Sequence, residues 1–242
     1  MTGAARRFSA RLRREERGLS LAELLVTIMI FAIVLAVVSG TFVTMTRATS
    51  FANATDTNAR SASTAMNEMT RLLHSAMNNP QQNASDAPAF TTAKTESMTF
   101  TTAVDLSGSA PIANNGPDPR PELVTLGLDS SRRLVETIVP GQPVVAGSSY
   151  YRFTSTAAAR TLAPAVSATP AGQSALFTYY DASNAALIPD ATGALSAAQM
   201  KGIVSVGVTL RLSNNGSTAD NGVTLSNRVG LPNLLSTGTV TP

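Results

Sequence analysis

Between Leu19 and Val38 the chain runs twenty residues with a single charge, the carboxylate of Glu23. A helix of that length rises about 30 Å, the thickness of a bilayer core, so the run can span a membrane. An uncharged segment would anchor as well, and a carboxylate in hydrocarbon is costly. The stretch Arg17–Gly40, RGLSLAELLVTIMIFAIVLAVVSG, therefore poses two questions: what it inserts into, and what Glu23 is for. An uncleaved signal anchor and a secretory signal, including a twin-arginine signal at Arg6-Arg7-Phe8, are two general answers. The run is long for a secretory core, no Ala-x-Ala cleavage site follows it, and neither answer uses Glu23.

Charge is distributed unevenly around this run. Eighteen basic and fifteen acidic residues give +3 overall. Six arginines against two glutamates put +4 into the first eighteen positions, which leaves residues 19–242 at −1. A basic flank stays cytoplasmic, which places everything after Gly40 outside. The scattered basic residues of the remainder give no nucleic-acid footprint, and no nucleic-acid partner is expected. With no Cys there is no disulfide, thiolate metal site or Cys nucleophile.

Gly18-Leu19-Ser20-Leu21-Ala22-Glu23, with its basic leader before and apolar run after, resembles the class III signal of type IV pilins and pseudopilins. The resemblance implies cleavage by a prepilin peptidase between Gly18 and Leu19, methylation of the new amine on Leu19, and Glu23 as the family's glutamate at the fifth mature position. Phe is the family's preference where Leu19 stands. Residues 1–18 are then a cleaved cytoplasmic leader, 19–79 a long N-terminal helix with its transmembrane part at 19–40, and 80–242 a β-rich extracytoplasmic head. In a staggered stack of such helices Glu23 would meet the Leu19 amine of a neighbouring subunit, turning two unpaired charges into one pair. The alternative is that Glu23 snorkels to the headgroups.

Past Gly40, small or apolar residues recur at steps of three and four: Met45, Ala48, Ala52, Thr55, Ala59, Ala62, Met66, Met69, Leu73 and Ala76. This predicts that the helix continues to about Met77, before Asn78-Asn79-Pro80, with its stripe packed on a sheet. A generic coiled coil would use the same spacing, but with more leucine. Gly40 is a weak helix former.

After Pro80 the period changes. Strands are expected at Ser97–Thr102, Leu123–Leu128, Leu134–Val139, Tyr150–Thr154, Ala175–Tyr180, Ile203–Leu212 and Val223–Leu231. Asp129-Ser130-Ser131 reads as a hairpin turn. Residues 81–95, 106–121 and 156–173 read as connections. The fold class is α+β: a long N-terminal helix on one antiparallel sheet. The head segments ELVTLGLDSSRRLVETIV, ALFTYYDASNAAL, IVSVGVTLRL and VTLSNRVGLPN resemble, loosely, those of J-type pseudopilins and PilW-like minor pilins.

No catalytic constellation emerges. His74 is the only histidine and lies on the helix, so no zinc spacing exists. Asp181, Asn184 and Asp190, or Asn214, Asn215 and Asp220, could gather oxygens for calcium, but turns use the same residues. Tyr150-Tyr151 and Tyr179-Tyr180 read as strand packing. The expected function is a non-enzymatic minor prepilin without cofactor, in the cytoplasmic membrane and then the fibre. Its partners would be the prepilin peptidase, other pilin subunits and the membrane. A type II secretion pseudopilin is the alternative within the class; an anchored surface binding protein or enzyme is the alternative outside it.

Overall fold

The computed structural model describes residues 20–103, 120–146, 148–213 and 222–235. The chain divides into two compact units, residues 1–52 and 53–242. Helix α1 (Leu21–His74) supplies residues to both.

In the second unit α1 buries Ala62, Ala65, Met66, Met69, Leu72 and Leu73. The predicted stripe is therefore right from Ala62 onwards. Burial is wider than one residue per step, because Ala65 and Leu72 flank the stripe and face the same core. Ala59 and Thr55 are half-buried, while Met45, Ala48 and Ala52 are exposed. The helix stops at His74 rather than Met77. The amides of Ser75 and Ala76 reach back to Leu72 and Leu73, a tightened last turn, and Met77 N then donates to Thr101 O at 3.0 Å. Residues 76–79 run extended, and Ala76 bridges to Thr102 and Asn79 to Ala87. Pairing with the sheet ends the helix before Pro80 needs to.

The head holds two antiparallel sheets and a ribbon rather than the single sheet expected. The first sheet has the order β1-β2-β3-β4-β7, from Phe90–Ala93, Ser97–Thr102, Glu122–Leu128, Leu134–Pro140 and Ala158–Ala163. The second has the order β11-β10-β8-β9, from Val223–Gly230, Ser205–Leu212, Phe177–Tyr180 and Ala186–Leu187. Gln142–Pro143 (β5) and Tyr151–Arg152 (β6) form the ribbon, so the strand expected at 150–154 is only two residues long. Strand β1 lies within the segment read as a polar connection, and β7 within the Ala- and Thr-rich segment read as a loop. Helices α2 (Ala197–Lys201) and α3 (Pro232–Leu235) interrupt the β-rich part. Ser196 caps α2 in a reciprocal pair with Gln199. The loop expected at 106–121 lies mostly outside the described residues.

Period-two burial makes these strands. In β10, Val206, Val208, Leu210 and Leu212 face the core, and Gly207, Thr209 and Arg211 are less buried. One contiguous core joins α1 to both sheets, with Phe90, Met98, Phe100, Leu126 and Leu134 from the first and Phe177, Tyr179, Leu210 and Val229 from the second. Phe90 stacks with Phe100 at 5.6 Å and meets Tyr179 edge-on at 6.2 Å. The Tyr179 hydroxyl donates to Lys94 O at 2.8 Å, and burial drives its acidity far down, so it stays a neutral donor. The turn at Asp129 forms as expected. Its carboxylate accepts from Ser131 N and Arg133 N, while Arg132 takes a left-handed φ of 56°. That backbone sends the Arg132 side chain across to Val166 O at 2.9 Å and Glu96 at 2.9 Å, which ties the β3–β4 hairpin to the crossover leaving β7.

Candidate functional site

Helix α1 begins at Leu21, and Leu24 N donates to Ser20 O at 3.0 Å. Ser20 is thus the capping residue and Glu23 stands three positions later, the spacing of a capping box. A carboxylate in the first turn also faces the positive end of the helix dipole. The Ser-x-x-Glu spacing is visible in the sequence. Gly18 and Leu19 lie outside the described residues.

From Leu21 the side chains that follow Glu23 are exposed and apolar: Leu24, Leu25, Val26, Ile28 and Met29, and onwards through Val38. The helix is long and apolar enough to cross a membrane, and its most apolar window buries nothing within the protein. Such a continuous apolar surface needs an apolar environment. Its hydroxyls do not oppose insertion. Thr27 Oγ1 donates to Glu23 O at 2.7 Å and Thr41 Oγ1 to Val37 O at 2.9 Å, so each is satisfied inside the helix. The helix passes through Gly40 without interruption.

The other candidates have structural roles. Asp181 Oδ1 accepts from Ser183 N and Ala185 N, and Asp190 Oδ1 from Thr192 N, Thr192 Oγ1 and Ala194 N. Led by the Thr192 hydroxyl, these bonds hold the Asp190 carboxyl below the usual carboxylate range. Asn184 turns its chain at a φ of 67°. Oδ1 of each carboxylate bonds its own turn, and among the described residues no group of three or more His, Cys, Asp or Glu is gathered that could hold a metal ion. Asn214, Asn215 and Asp220 lie outside the described residues. His74 is exposed on the last turn of α1. Tyr179 is core, as its strand packing implied, but Tyr180 points to the opposite face of β8.

Sequence reasoning missed a string of alternating charges along α1. Arg71 pairs with Glu68 at 2.7 Å, Glu68 with Arg160 of β7, and Arg160 with Glu136 of β4. Glu136 is fully buried. Hydrogen bonding from Arg71, then the charges of Arg71 and Arg160, hold the Glu68 carboxyl low; Glu136 in turn raises the Arg160 guanidinium. The signal was present: in LVETIV, Glu136 takes the inward position between Leu134 and Ile138.

The decisive likeness lies at the N-terminus. Residues 13–39 match the prokaryotic N-terminal methylation motif. The chain carries a type IV pilin-like class III signal. The matched span of this signal contains Gly18, Leu19 and Glu23 together with the head of the apolar helix. With antiparallel sheets following that helix, the architecture is α+β and pilin-like. No curated protein and no solved structure matches the chain.

Proposed function

We propose that the protein is a minor prepilin: a non-enzymatic subunit cut by a prepilin peptidase between Gly18 and Leu19, methylated on Leu19, and assembled into or initiating a type IV pilus. The observation that carries this reading is the methylation motif at residues 13–39, which spans the cleavage position and Glu23 together. The exposed apolar face of α1 supports membrane insertion, and the Arg-rich leader supports an orientation with the N-terminus inside and the head outside. The same signal serves type II secretion pseudopilins, and the loose resemblance of the head segments to J-type pseudopilins as well as PilW-like minor pilins keeps that as the second reading.

Mass measurement of the protein co-expressed with a prepilin peptidase tests the class. A mature chain beginning at methylated Leu19 is expected, and replacement of Gly18 by a bulky residue leaves the leader in place; an unchanged wild-type mass refutes the reading. Glu23 variants then test its role in assembly. Glu23→Gln keeps a hydrogen-bonding side chain but removes the charge, whereas Glu23→Ala removes both. Both are expected to insert and be cut. Glu23→Ala is expected to be absent from sheared fibres, and Glu23→Gln reduced in them, because the Leu19 amine of a neighbour stays unpaired. Incorporation of Glu23→Ala at the wild-type level refutes the pairing account. Loss of surface fibres, as against loss of an exported protein, on deletion of the gene separates pilus from secretion.

A further inference from the structure

The outer face of the four-stranded sheet carries a cluster that the fold does not need. Along β8, Phe177 and Tyr179 face the core, which leaves Tyr180 on the far side. Its neighbour across the ladder is Ser205 of β10, which in turn faces Gly230 of β11. Two residues along β10 is Gly207, opposite Arg228 of β11. A Cβ at Gly207 would stand 3.2 Å from Tyr180 Cε2, so the tyrosine ring lies across the strand in the space a side chain would fill. Arg228 then stacks on that ring, its guanidinium carbon 3.7 Å from the centroid. Ser205 Oγ accepts from Arg228 Nε at 3.0 Å and from Nη2 at 2.8 Å.

Three strands thus fix one guanidinium on a surface where hydrophobic burial asks for nothing. Among the described residues no carboxylate pairs with Arg228, whereas Arg132, Arg133 and Arg160 of the head each pair with an Asp or Glu; Arg211, which also lacks an ion pair, bonds the Ser174 carbonyl at 2.8 Å. Arg228 and Ser205 border a shallow, open surface depression that Asp181 and Asn184 also line. A planar fork held by an aromatic ring on its face and a hydroxyl on its edge has its remaining N–H groups aimed outwards and little rotamer freedom left to lose.

We propose that the Arg228–Tyr180 stack is a carboxylate-binding site. The fork matches the two oxygens of a carboxylate, Ala182, Val204 and Gly230 border the same depression and offer apolar contact to the carbon that bears it, and the Asn184 amide can bond a neighbouring polar group. The negative charge of Asp181 in the same hollow opposes a dianion such as phosphate and leaves room for a monoanion. The proposal stands independently of the N-terminal signal, because every residue in it belongs to the head.

Full-length protein in detergent micelles, labelled on arginine nitrogen and tyrosine ring carbon, tests it by NMR titration with butyrate, glucuronate and inorganic phosphate. The Arg228 Nε–H and Tyr180 ring signals are expected to shift together and saturate with both carboxylates, with a dissociation constant on the order of 10 mM or tighter. Equal response to the two carboxylates identifies the side-chain-like group as sufficient, and a glucuronate response at least about tenfold tighter identifies a sugar acid. Arg228→Lys, which keeps the charge and loses the fork, is expected to weaken binding about tenfold or more. Ser205→Ala, which frees the fork without removing it, is expected to fall between that variant and wild type. Tighter binding of phosphate than of either carboxylate, a response that survives in Arg228→Lys, or no saturation with any probe overturns the proposal.

Discussion

Replacing Arg160 with methionine strands the Glu136 carboxylate. Glu136 has no exposed side-chain surface, and Arg160 is its only hydrogen-bond partner among the described residues; its Oε1 has none. Removing one member of a buried pair costs roughly 3–5 kcal/mol. The Arg160 side chain is 54% exposed, so water already screens part of the attraction, and the lower end, about 3 kcal/mol, is expected. Glu68 loses less, because Arg71 still holds it at 2.7 Å. Glu136→Leu combined with Arg160→Met removes both charges from a position whose cross-strand neighbour is Leu126, and is expected to recover most of the loss. Arg71→Ala breaks only a surface pair, worth no more than about 1 kcal/mol. Urea unfolding followed by near-ultraviolet circular dichroism reads this directly: the chain has no Trp, and its four tyrosines, at 150, 151, 179 and 180, all lie in the head. An Arg160→Met protein within about 0.5 kcal/mol of wild type would refute the buried-charge account. So would a double variant as unstable as the single one.

Met69→Ala, at a fully buried position of α1, is expected to lose about 2–5 kcal/mol in the same assay, whereas Met45→Ala, on the exposed part of that helix, changes the head by less than about 0.5 kcal/mol. Gly193 has a φ of 74° and an added Cβ would stand 2.9 Å from Thr95 Oγ1; Gly172 has a φ of 75° with open space around it. Gly193→Ala should therefore lower the urea midpoint more than Gly172→Ala, whose cost is the left-handed backbone alone, about 1–2 kcal/mol. Acid should weaken the head. The Glu68 carboxyl is held low by its Arg71 hydrogen bond and the charges of Arg71 and Arg160, so its contribution is complete above the ordinary carboxylate value of about 4.3 and is lost as pH falls through the lower folded value. Glu68→Gln should flatten part of that acid limb of the urea midpoint against pH.

What was readable in the sequence is what repeats. The apolar run, the stripe from Ala62 and the alternation of β10 each sum many small preferences along one element, so their period survives without any knowledge of partners. The Asp129 turn was readable because one side chain satisfies its own backbone. Strand β7 was not, because AARTLA has one large apolar residue, four of its residues are exposed, and its pairing depends on β4 beside it. The helix end was misplaced for the same reason: Ala76 and Met77 suit a helix, and it is Thr101 and Thr102 that pull them into extended pairing. At the candidate site, Gly18, Leu19 and Glu23 form a contiguous signal that a sequence carries whole. The charged string and the Arg228 stack do not, since each draws on strands more than twenty residues apart.

The helix is held by β11 and the residues that follow it. Asn227 of β11 reaches Thr70 at 3.1 Å, Asn233 reaches the Ala76 carbonyl at 3.3 Å, and Val229 and Leu231 complete the core over the helix face. During synthesis that face emerges before these covering residues, which follow after about 150 intervening residues, so loop-closure entropy must be met before the contacts give any return. With no cysteine there is no covalent tether to shorten the wait. Met66, Met69 and Leu73 stand bare meanwhile on a helix that begins with an apolar run at Leu24–Val38, a nascent chain with every reason to stick to its own kind.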